Sequence, residues 1–217
     1  MRRETSTVVV LAGEPDEGML AELARSPNVT VARAPAAEPP GAGQPAAARP
    51  GWEPGALAMR EAARRRSTYV IVPDDPLAEV AAGWHEMWDI SGGGQAAPAP
   101  GSPDGGRQRS LTFEAGAAEA LAAWRGKRFD LPDYYLVIAP ADTEGAGADL
   151  YLGPLRAVRP RRVAVAAAVG APAQAAQILA ALRSLEHGPW WPPLDEVIDA
   201  ARRFYPGGLA EMQAAAP

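Results

Sequence analysis

Residues 67–88, STYVIVPDDPLAEVAAGWHEMW, decide the fold. Thr68 to Val72 is a short run of β-branched and aromatic residues with no polar alternation, the pattern of a strand covered on both faces. Asp75 follows as a helix N-cap with Pro76 at the first helical position, where a missing N–H costs nothing. Leu77, Val80, Ala81, Trp84 and Trp88 then recur on one helical face. Strand, cap and amphipathic helix make one βα unit.

The same alternation extends in both directions. Thr7 to Ala12 is a second β-branched run, followed by a helix that opens at Pro15-Asp16-Glu17, carries Met19, Leu20 and Leu23, and stops at Ser26-Pro27. Val29 to Ala32 predicts a strand and Leu57 to Arg66 a helix. Towards the carboxyl end, Phe113, Ala117, Leu121 and Trp124 predict a helix and Tyr134 to Ile138 a strand. Ala148 to Val158 predicts a helix interrupted at Gly153-Pro154, and Arg162 to Ala166 a fifth strand. Ile178, Leu179, Leu182 and Leu185 mark a helix opened by Pro172, and a last helix is expected from about Pro193 to Tyr205. Strands alternating with helices predict an α/β, Rossmann-like (flavodoxin-like) domain. Its mainly parallel sheet would have about five strands, with helices on both faces.

Two stretches interrupt this pattern. In 34–55, 17 of 22 residues are Ala, Pro or Gly, and 91–110 is again dominated by Gly, Pro and small polar residues. Such compositions bury too little apolar area to offset their ordering entropy. Both are expected to be long flexible loops inserted into a single domain spanning 1–217.

Composition closes several function classes. The chain has no cysteine and two histidines, which rules out disulfides, thiolate catalysis, Fe–S clusters and Cys-based zinc sites. No Gly-x-Ser-x-Gly occurs, and a nucleophile elbow is not expected. The loop Leu11-Ala-Gly13-Glu14-Pro15-Asp16 has neither the glycines of a dinucleotide fingerprint nor a Walker lysine. A formal net charge of −5 argues against a nucleic-acid footprint. No run approaches the roughly 18 to 20 apolar residues of a membrane span. Nothing near Met1 resembles an export signal, because Glu4 and a short apolar run follow Arg2 and Arg3. A cytoplasmic protein is the expectation.

Ligands of open parallel sheets bind beyond the carboxyl ends of the strands. There the sequence places Glu14, Asp74, Asp75 and Asp142. If these converge, their hard oxygens could hold Mg²⁺ for chemistry on a phosphate-containing substrate. A glutamate after the first strand and paired aspartates after a later one is similar to Toprim-type metal sites, although Asp74 and Asp75 are adjacent where those sites alternate. Helix capping accounts for Asp75 without any metal. At the opposite pole, Arg64, Arg65 and Arg66, Lys127 and Arg128, and Arg159, Arg161 and Arg162 lead into successive strands. Helix carboxyl ends attract such cations, and an anion or partner surface would be their functional reading. His85, about 100° around its helix from Trp84, is expected at the solvent edge.

The remaining signal is aromatic. Trp190-Trp191 stand between Pro189 and Pro192-Pro193, and Leu194, Val197 and Ile198 continue the apolar surface. Rigidly backed tryptophan loses little entropy on binding, which makes these five residues the candidate contact surface for a protein partner or a second copy. The leading expectation is a non-catalytic regulatory or scaffolding protein acting through such contacts, with a small ligand as a further option. The alternative is the Mg²⁺-dependent enzyme; Mg²⁺ is a cofactor under that reading alone, and the cofactor is otherwise unknown.

Overall fold

A computed structural model describes residues 6–35, 50–88, 103–138, 148–167 and 170–204. The sheet is built from β1 (Thr7–Ala12), β2 (Val29–Val31), β3 (Tyr69–Val72), β4 (Tyr134–Ile138) and β5 (Val163–Ala166). All neighbours pair parallel, in the order β2-β3-β1-β4-β5. This is a Rossmann-like α/β architecture, with β1 and β3 exchanged relative to the flavodoxin order 2-1-3-4-5.

Period-two alternation assigns each strand residue to a layer. Val10, Ala12, Val70, Val72, Tyr135 and Val137 face one core; Val9, Leu11, Ile71, Leu136 and Ile138 face the other. The second core is closed by α1 (Glu17–Ala24) and α7 (Ala171–Arg183). The first, larger core is closed by α2 (Trp52–Ala62), α3 (Ala78–Trp88), α4 (Pro103–Arg125) and α8 (Leu194–Arg203). Between β4 and β5, α5 (Ala148–Leu150) runs through a π-helical turn, Tyr151–Leu155, into α6 (Arg156–Val158). The expected interruption at Gly153-Pro154 is that π turn, which takes up the missing N–H of Pro154 without breaking the helix.

Part of each stretch expected to be loop is helical. α2 starts at Trp52, so 52–55 are helical; Pro54 lies in the first turn, where its N–H would have no helical partner. Trp52 is buried against Phe129, with Arg128 over its ring, which anchors the turn. Likewise α4 begins at Pro103, so 103–110 extend the helix whose stripe starts at Phe113. Residues 36–49 and 91–102 lie outside the described residues.

Candidate functional site

β1 leaves its carboxyl end for α1 on one face, whereas β3 and β4 leave for the other. Above β1 is therefore where a crevice is expected in a sheet of this kind. Gly13 is needed there: its φ is +117°, and a Cβ would lie 2.9 Å from the carbonyl oxygen of Ile138. Behind the β3–α3 turn, Gly55 of α2 packs on backbone so closely that a Cβ would come within 2.4 Å of the Pro76 nitrogen.

The rim does not assemble the expected metal ligands. Glu14 is exposed. Asp74 turns towards β2, where its Oδ2 accepts the Ala34 N–H at 3.0 Å. Asp75 turns under the sheet: Oδ1 accepts the Leu77 N–H at 2.8 Å, as a cap does, and Oδ2 accepts the Tyr151 hydroxyl. Successive residues of extended chain point apart, and each carboxylate has found its own donor. Asp142 lies outside the described residues. Among the described residues, no group of three or more His, Asp or Glu could hold a metal ion.

What the sequence missed is the polar column that Asp75 joins. Tyr151, delivered by the π turn, lies 5.0 Å between ring centroids from Tyr135 of β4, and Tyr135 meets Trp191 edge-on at 5.8 Å. The Tyr135 hydroxyl is fully buried and has no hydrogen-bond partner among the described residues. Burial, together with the Asp75 charge, raises both phenols well above their ordinary range. Burial likewise lifts the Asp75 carboxyl from 3.8 to about 6, against the lowering effect of the Tyr151 and Leu77 bonds. Beside this column, His85 Nδ1 and Asp149 Oδ2 are 3.0 Å apart, and both residues are buried. His85 is thus not at the solvent edge. α3 packs against both α4 and α5 and shares the larger core with the sheet residues, so its buried arc is wider than one stripe.

Because the folded-state pKa of Asp75 is raised, the folded chain holds a proton between pH 4 and 6 that the unfolded chain has released. Stability therefore falls as pH rises through that window, and the loss is complete above pH 6. Asp75→Asn keeps a cap and cannot ionise. It is expected to match wild type at pH 4 and to exceed it by about 2 kcal/mol at pH 8 in urea titrations. A pH-independent difference would show that Asp75 titrates normally. Tyr135→Phe, which removes the orphan hydroxyl, is expected to be neutral or to stabilise by up to about 1 kcal/mol in thermal melts. A loss of stability would mean that the hydroxyl is satisfied.

At the amino-terminal pole lies an open groove of about 550 Å³, lined by Trp124, Asp130, Leu131, Trp190, Trp191, Pro192 and Pro193. Its wall is tied down by arginines. Arg162, itself buried, donates to the carbonyls of Gly188 (2.7 Å), Pro189 (3.1 Å) and Asp133 (3.0 Å) and stacks on Tyr134 and Trp190. Arg159 Nε donates to the Trp190 carbonyl at 2.6 Å. Arg161 pairs with Glu186, and Arg64 and Arg65 pair with Glu61. These arginines serve the fold and its surface pairs.

The expected contact surface is correspondingly reduced. Trp191 is 5% exposed and its Nε1 donates to the Pro132 carbonyl at 2.8 Å; Leu194, Val197 and Ile198 are core residues of α8. The α8 stripe is the face that closes the larger core, so it has no surface left to offer. Trp190, half-buried, remains at the groove. Trp124 and Asp130 join it there, although nothing in the sequence pointed to Asp130. The helical stripe placed Trp124 in the core, and only the chain reversal at Gly126-Lys127, with Lys127 at φ 54°, brings the two together. No family model, curated protein or solved structure matches the chain.

Proposed function

We propose that this protein is a non-catalytic α/β scaffolding or regulatory domain, cytoplasmic, that works through protein contacts made at the amino-terminal groove. One observation carries the reading. Tryptophan and proline surfaces line an open concavity whose backbone is immobilised by Arg159 and Arg162, so binding there costs little ordering entropy. The groove lies away from the carboxyl rim where substrates of such sheets bind. No described helix is long and apolar enough to cross a membrane, which is consistent with the setting.

Asp130 is exposed, so Asp130→Arg should leave the melting temperature unchanged while reversing the charge of the groove. Proximity labelling with the full chain in cells should then lose a defined set of neighbours in this variant. Neighbours identical to those of wild type would overturn the reading.

A further inference from the structure

The geometry points to an extended, proline-rich peptide carrying a basic residue as the occupant of this groove, an inference that rests on the contact function proposed above. The argument is one of matched chemistry. The wall offers no ladder for an added strand: the carbonyls of Gly188, Pro189 and Trp190 already accept arginine donors, and Pro192 and Pro193 have no N–H. A bound chain must therefore do without main-chain pairing to that wall. Proline-rich segments are suited to this, because each proline lacks an N–H and the polyproline II form holds its shape without internal hydrogen bonds.

What the groove does offer is what such a segment uses. Trp124 and Trp190 are half-buried and supply ring surface for proline. Among the described residues the Trp124 indole N–H has no acceptor, and the outward carbonyls of a polyproline II chain accept such donors. Asp130 is exposed, and among the described residues it enters no ion pair and is the only charged residue lining the groove. It selects a cationic neighbour of the prolines, Arg above Lys because of its planar fork. A sugar would also stack on tryptophan, but its hydroxyls would meet a single carboxylate and a single N–H.

The test uses the full chain labelled with ¹⁵N and follows the Trp124 indole resonance, identified by its disappearance in Trp124→Phe. The probe is the peptide Arg-Pro-Pro-Ala-Pro-Pro-Ala-Pro. The expected result is a saturable shift, about five-fold weaker affinity when glutamine replaces the arginine, and no shift with a glycine-serine peptide of equal length. In Asp130→Asn, arginine and glutamine peptides should bind equally. In Trp124→Phe, affinity followed on the remaining indoles should fall about five-fold, the equivalent of one hydrogen bond. Three outcomes would overturn the proposal: no saturable shift, equal binding of the glycine-serine peptide, or saturation by maltopentaose instead. A dimer in sedimentation that Asp130→Arg abolishes would name a second copy as the occupant, and would overturn it too. If peptides fail while Asp130→Arg still strips cellular neighbours, the occupant is wrong and the contact function stands. If both fail, both fall.

Discussion

Trp191→Ala is expected to remove about 3 to 5 kcal/mol of stability, the usual cost of deleting a buried tryptophan. The ring is 5% exposed, packs edge-on against Tyr135, and its N–H satisfies the Pro132 carbonyl at 2.8 Å. Truncation would leave a cavity at the junction of β4 and α8 and orphan that carbonyl. Trp190→Ala, one residue away, should cost only about 1 to 2 kcal/mol, because its ring is half-buried and stacks on the Arg162 guanidinium. Guanidinium chloride titrations of the two variants measure the contrast. Equal losses would mean that both rings are core and that Trp190 contributes no groove surface.

Arg162→Ala should cost about 3 kcal/mol or more, despite the location of Arg162 just outside a strand. Three carbonyls, of Asp133, Gly188 and Pro189, share this one guanidinium. Charge-assisted bonds contribute more than neutral ones, and buried acceptors left unpaired add their desolvation cost. Arg162→Lys should recover less than half of the loss, since an ammonium cannot fork towards three carbonyls while stacking on Tyr134 and Trp190. Full rescue by lysine, read from the same titrations, would show that charge alone is needed. Full stability in the alanine variant would show that the 188–190 segment holds itself.

The parallel layering was legible because it is written locally. Runs such as Val8 to Leu11 and Val70 to Val72 are apolar on both faces, and only a sheet covered on both sides buries them. Helix starts were less legible where composition and packing disagree. Trp52-Glu-Pro-Gly55 and Pro103-Asp-Gly-Gly106 look like loop, yet each is the first turn of a helix whose later residues supply the apolar face. The Trp191 to Ile198 stripe was legible as a stripe but not as core, because amphipathicity does not say what covers it. The Asp75–Tyr151–Tyr135 column was hidden for another reason: its members come from a turn, a π turn and a strand, and only the packing of the π turn against β4 unites them. Period-two alternation could have given part of it, since it sets Tyr135 on the same face as Val10 and Val70.

The position of β1 at the centre of the sheet also governs how the chain can be assembled. β1 is the first strand of this sheet to be synthesised, yet its register partners are Tyr69 to Val72 on one side and Tyr134 to Val137 on the other. Until those residues have been synthesised, Val8 to Leu11 carry two open edges and two apolar faces. β2 gives no early relief, because it pairs only with β3. Pairings this distant in sequence slow folding and lengthen exposure to aggregation. Nascent chains halted before residue 134 should therefore bind chaperones through the amino-terminal strand, and release should follow only once β4 emerges.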